Sequence, residues 1–243
     1  MSQAKISRIE SGKHLPSVID VERILTALGV PAEVSRGLVD LARVANVGYG
    51  SWRAFARIGL ERKQVELMAL EESSKVVRQF LPAIPTGLVQ IPEYSREVLA
   101  ARISSDSVRD VDRLVRARIE RQRVLADETR QFVFLLTEQA VRWRQADADV
   151  MRRQTEHMVE VANYPNVELG VLPQSVEVRQ PPMNIFVVYD ERLVTVELFS
   201  GEVVLRDPRD IRYHLDLFEF FRQHALTGDA ARDYLRTVSA EFM

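Results

Sequence analysis

Ser2-Gln3-Ala4-Lys5-Ile6-Ser7-Arg8-Ile9-Glu10-Ser11-Gly12-Lys13, followed by Pro16-Ser17, reads as a short helix, a turn and the start of a second helix. Ser2 suits an N-cap, where a hydroxyl accepts from one of the backbone N–H groups left over at a helix start. Gly12 stands where a helix end favours a left-handed residue. Ile6 and Ile9 fall three apart on one face, while Gln3, Lys5, Arg8 and Ser11 point elsewhere. Beyond Ser17 and Asp20, the residues Val21, Ile24, Leu25 and Leu28 recur at helical spacing, and Gly29 closes the run. The chain therefore opens with a polar-faced helix, a turn and an amphipathic helix that covers it.

Outward from this stretch, 243 residues allow one large or two ordinary domains. A hydrophobic content of 46% and a charged content of 28% are those of a globular protein with a sizeable core. The formal net charge is -2, so a nucleic-acid site has to be a local patch. The absence of cysteine excludes disulfides and thiolate metal sites and suits a cytoplasmic protein. The chain does not open on a signal-peptide pattern, and no apolar run approaches the roughly 20 residues of a membrane span.

Residues 33–44 read as a third helix, with Val34, Leu38, Leu41 and Ala42 on one face. Asn46-Val47-Gly48-Tyr49-Gly50-Ser51 is turn-rich and reads as a linker, followed by Trp52 and Phe55 among Arg53, Arg57, Arg62 and Lys63. These aromatics read as anchors onto the next domain, with nucleic-acid contact as the alternative. A helix is expected over 65–74, a strand over 75–81 and helices over 93–103 and 107–125, the latter capped by Asp106 or Ser107. Strands follow over 131–137, 167–172, 184–189, 194–199 and 202–205, with helices over 138–144 and 147–162. Asp207 caps a helix to His224 that buries Tyr213, Leu217, Phe220 and Phe221, and a last helix spans 229–242.

The opening stretch resembles the Xre (lambda-repressor-like) helix-turn-helix family at Ser2, Gln3, Ile6, Ser7, Arg8, Ile9, Glu10, Gly12, Pro16 and Ser17. The resemblance implies a recognition helix in the major groove, with Ser2, Gln3, Lys5, Ser7, Arg8 and Lys13 as the DNA-binding set. In that family two helices precede the recognition helix. The chain is accordingly expected to be an N-terminally shortened version, with residues 2–30 poorly ordered or self-associated. The segments GLVQIPEYSREVL (87–99), YPNVELGVLP (164–173) and VTVELFSGEVVLRDP (194–208) resemble the large C-terminal domain of actinobacterial Xre-like regulators. Such proteins are often encoded beside a small partner in antitoxin-like or developmental pairs, and the resemblance supplies no catalytic residue.

Of other chemistry the sequence carries little. His14, His157, His214 and His224 lack ligand spacing, so neither metal nor cofactor is expected. Glu71 and Glu72 point about 100° apart on a helix and read as a solvated end. Tyr94, Tyr189 and Phe199 read as core, with a pocket lining as the alternative. The fold expected is α+β: a partial all-α helix-turn-helix bundle at 1–46, a linker at 47–64 and a larger α+β domain with a mixed sheet at 65–243. The function expected is a sequence-specific transcriptional regulator binding double-stranded DNA as a homo-oligomer. Its C-terminal domain would dimerise, bind a partner or sense an effector. The alternatives are an antitoxin-like binder of a small partner protein, and a small-molecule sensor or enzyme. Enzyme is the weakest class, and no membrane association is expected.

Overall fold

The computed structural model describes residues 1–100 and 110–243, and for Arg57 and Ile58 the backbone only. Three helices come first: α1 (Gln3–Glu10), α2 (Val18–Ala27) and α3 (Ala32–Ala45). Ser2 caps α1, its hydroxyl accepting from the Lys5 N–H at 3.3 Å. Ser17 and Asp20 form a reciprocal capping box on α2, and Asp20 also holds the Lys5 ammonium at 2.8 Å. Gly12 and Gly29 take φ of 70° and 63°, the left-handed conformation that ends α1 and α2. Val18, Leu25 and Ala42 are buried between these helices, whereas Ile6, Leu28, Val34, Leu38 and Leu41 face solvent.

A seven-stranded sheet follows: β1 (Val47–Ser51), β2 (Val76–Leu81), β3 (Gln131–Thr137), β4 (Val167–Leu172), β5 (Phe186–Tyr189), β6 (Leu193–Leu198) and β7 (Gly201–Leu205). Their order is β1-β7-β6-β5-β2-β3-β4, with β2, β3 and β4 parallel and the other pairs antiparallel. The helices that pack on it are α4 (Trp52–Ile58), α5 (Leu60–Glu72), α6 (Pro92–Ala100), α7 (Val111–Arg121), α8 (Glu138–Arg142), α9 (Ala148–Val161), α10 (Pro208–Arg222) and α11 (Gly228–Ala240). The fold is α+β with a mixed sheet and an N-terminal helical region.

Alternation along the strands sends side chains into two cores. Val77, Leu81, Phe132, Phe134 and Val187 meet Met158, Leu235 and Val238 of α9 and α11 on one face. Phe80, Leu135, Phe186 and Val188 meet Ile211, Phe218 and Phe221 of α10 on the other, where Phe80 and Phe221 stack at 4.3 Å between centroids.

Several expectations need correction. The linker expected at 47–64 is structured: β1 pairs with β7 from Val47↔Leu205 to Ser51↔Gly201, and α4 and the start of α5 fill the rest. Glycines stand where β1 is closely approached. A Cβ on Gly201 would land on the Gly50 carbonyl oxygen, and one on Gly50 would lie 2.7 Å from the Phe55 ring. Trp52 and Phe55 act as anchors: the Trp52 indole donates to Leu198 O at 2.9 Å, and Phe55 lies under the Lys63 ammonium. Tyr213 is 59% exposed and Phe199 fully exposed, so neither is core. The helix end expected at 103 and the cap at Asp106 or Ser107 lie outside the described residues. Asp110 caps α7, its carboxylate accepting from the Arg113 N–H at 2.9 Å.

Candidate functional site

On α1, Gln3 and Ser7 are exposed and one turn apart, which puts them on the same outer stripe. Arg8 and Lys13 are exposed, and neither makes an ion pair among the described residues. Lys5 differs. Its ammonium is spent on Asp20, which is 3% exposed, and so it ties α1 to α2. That pairing, with hydrogen bonds from Ser17, holds the Asp20 carboxyl below its usual range despite the opposing effect of burial. Ser2 is exposed and engaged as the cap.

The second site lies on the sheet face covered by α5, α6 and α7, where a cavity of about 550 Å³ opens between those helices and strands β2, β5, β6 and β7. Its floor follows from strand register. Gln79, Val187 and Thr195 are successive partners across β2, β5 and β6, and Glu197 faces Glu202 across β6 and β7. Like charges directly opposite on a sheet are unfavourable unless cations offset them. Lys63 of α5 supplies one, its ammonium buried against Glu202 and 3.7 Å from Glu66.

Two arginines of α7 supply the rest. Arg118 donates through Nη1 to Gln90 Oε1 at 2.6 Å. Gln90 is held in turn by Ser95, whose hydroxyl donates to the same Oε1, and by its own donation to Pro85 O. A Cβ on Gly87 would stand 3.0 Å from Arg118 Cδ and Nε, so glycine leaves room for that side chain to pass. Arg121 donates to Gln64 Oε1 at 2.8 Å, and its Nε lies 3.3 Å from Glu71 Oε2.

Enclosure dominates the electrostatics of this cluster. Burial pulls the Arg118 guanidinium down to about 10, with the like charge of Arg121 adding to it. Burial pushes the Glu71 carboxyl up to about 7, against the pull of Arg121. Glu197 is accessible through the cavity, yet protein surrounds its carboxyl. That desolvation, together with Glu202, raises it above the usual carboxylate range. Tyr189, 1% exposed in the same wall, is pushed up by burial as well.

The reading of Glu71 as a solvated helix end is thus overturned, because α5 packs that face against α7 and the sheet. Tyr94 and Tyr189 are core as read, and Tyr189 together with the exposed Phe199 also lines the cavity. Sequence reasoning missed Lys63, Arg118, Arg121, Glu197 and Glu202 as a group. A signal was present: Gln79, Thr195, Glu197 and Glu202 interrupt apolar strands on alternate positions that share one face. Among the described residues no three His, Asp or Glu side chains are grouped to hold a metal, and no helix is long and apolar enough to cross a membrane.

A family model described as a domain of unknown function, DUF5753, matches residues 64–237, and one described as a helix-turn-helix domain, HTH_31, matches residues 1–37. Comparison with curated proteins finds no match. Among solved structures the chain is similar to NucT from Helicobacter pylori, at 10% identity and a TM-score of 0.44 over 75% of this chain and 98% of that one. It is similar to a phospholipase D family member, Nuc from Salmonella typhimurium, at 10% identity and a TM-score of 0.41 over 75% and 95% of the two chains. It is also similar to TrmBL2, an archaeal chromatin protein, at 13% identity and a TM-score of 0.37 over 85% and 66%.

Proposed function

The chain belongs to the DUF5753 family and carries a helix-turn-helix domain ahead of that region, and from this premise we propose that it is a sequence-specific transcriptional regulator whose C-terminal domain senses a small effector. The observation that carries the reading is the helix-turn-helix match, joined to the exposed Gln3, Ser7, Arg8 and Lys13 on and just after α1. A side chain such as Gln3 reads base edges, while Arg8 and Lys13 neutralise phosphates. The cavity favours effector sensing over the other roles open to the C-terminal domain, because it gathers polar groups in an otherwise apolar hollow.

A route between the two sites supports the reading. Asn46, 3% exposed at the end of α3, donates from its side chain to Pro16 O and Ala42 O, while its carbonyl accepts from the Arg206 N–H beyond β7. Directly after it, β1 leads to Trp52 at the cavity wall. The test is selection of bound duplexes from a random pool followed by gel retardation over a range of salt. Enrichment of one sequence and a steep loss of affinity with salt are expected. A pool that enriches nothing, with no retardation at low salt, refutes the reading.

A second reading, binding of a small partner protein, is favoured by Val34, Leu38 and Leu41, an exposed apolar stripe along α3. Polar replacement of Leu38 and Leu41 should then abolish co-purification of the partner and leave DNA retardation intact.

A further inference from the structure

The charges facing the cavity do not all find one another. Lys63 is paired with Glu202, and Arg121 with Glu71. Among the described residues Arg118 has no carboxylate within ion-pair distance, and its buried Nε–H has no acceptor. Nor does any described cation lie within that distance of Glu197, although it feels the fields of Arg118, Arg121 and Lys63. Among the described residues, one cation and one anion without an ion-pair partner therefore look into the same hollow, each within the other's field but not in contact with it.

A ligand of a single charge would satisfy one of these groups and bring a like charge, or an unpaired desolvated one, to the other. A ligand with both signs satisfies the two together. Much of the rest of the wall is apolar, with Leu60, Leu67, Val98, Leu99 and Leu114 on the helical side. The volume of about 550 Å³ is in the range of small-ligand sites. We propose that this cavity binds a small zwitterion with an apolar body, an amino acid or short peptide, its carboxylate on Arg118 and its ammonium on Glu197.

Gln90 and Gly87 then act as positioning residues. Gln90 holds Nη1 and leaves Nη2, which makes no hydrogen bond to the described residues, for a carboxylate. The inference deepens the effector-sensing part of the regulator reading and rests on it for its biological meaning, but its test requires no DNA.

Calorimetry and thermal shift on the full chain would use millimolar L-leucine and L-leucyl-L-leucine, each also as its C-terminal amide and its N-acetyl form. Saturable binding of at least one free zwitterion is expected, weakened at least ~10-fold by either cap. In Arg118→Gln the amide cap should carry no further penalty, and in Glu197→Gln the acetyl cap should carry none, as for coupled partners in a double-mutant cycle. This comparison within each variant stands even where the substitution changes stability. Failure of both zwitterions to bind overturns the proposal, as does capped ligand binding as tightly as free ligand. So does a cap penalty that persists unchanged in the matching variant. A protein that binds the zwitterion and retards no DNA keeps this inference and loses the regulator reading; the reverse result does the opposite.

Discussion

Glu71 Oε2 and Arg121 Nε lie 3.3 Å apart with side chains only 1% and 6% exposed, yet neither atom makes a hydrogen bond. The pair is close without being aligned, so Arg121 offsets only part of what burial costs the carboxylate. This is why the Glu71 carboxyl rises from 4.5 to about 7 beside a cation.

A pH dependence follows, with a definite sign. The folded state holds the Glu71 proton more tightly than the unfolded chain, so stability falls as pH rises from about 4.5 to about 7 and then levels off. The slope from one such group reaches about 1.4 kcal/mol per pH unit at most. Glu197, also raised, adds in the same direction. Asp20, whose carboxyl is depressed, acts oppositely: its contribution is complete above the ordinary carboxylate range and is lost as pH falls through its folded value. Urea unfolding of Glu71→Gln should show a flatter profile between those pH values than the parent. An unchanged slope would mean that Glu71 does not titrate there.

In α1 and the turn after it, the cations divide by whether they are already bound. Gln3→Ala should cost ~1–3 kcal/mol of operator affinity and relax preference at one or two positions. Arg8→Ala and Lys13→Ala should each lower the salt slope of binding by roughly one. Lys5 is held by Asp20, so Lys5→Ala should leave that slope alone and cost under about 1 kcal/mol of stability, the pair being 39% exposed on the lysine side. Equal slopes for all four proteins would remove α1 from the groove.

The edge strand rests on two glycines. Gly201→Ala sets a methyl group against the Gly50 carbonyl, where backbone rather than a movable side chain stands in the way. A loss of about 1–3 kcal/mol is expected, the size of an overpacking defect. Brief proteolysis should cut between Val44 and Lys63 in this variant and spare the parent, in which β1 is paired. Equal cutting of both would contradict the pairing.

Asn46 binds the helical region through two hydrogen bonds from its buried side chain, and its carbonyl joins that region to the sheet through the Arg206 N–H. Asn46→Ala leaves the Pro16 carbonyl without that donor and should cost ~1–3 kcal/mol. Hydrogen exchange should quicken first at Val18 and Leu25, while Phe132 and Phe134 in β3, an interior strand paired on both sides, keep their protection. Uniform loss across both regions would show that Asn46 supports the whole fold instead.

Local chemistry was legible in the sequence wherever neighbours along the chain decide it. Ser2, Gly12, Ser17 with Asp20, and Asp207 mark helix ends because a cap needs only residues within one turn. The strands 131–137 and 167–172 coincide with β3 and β4, since continuous apolar runs of that length suit strands buried on both faces. Tertiary contact decided the rest. The segment 47–51 carries glycines that signal a turn, and only the approach of β7 makes it a strand. Glu71 looks like a solvated helix end until α7 covers it. Lys63, Arg118, Arg121, Glu197 and Glu202 are scattered over some 140 positions, and their charges meet because strand register and helix packing fold them onto one face. Desolvation, which sets the behaviour of that cluster, belongs to the enclosing volume and not to any stretch of sequence.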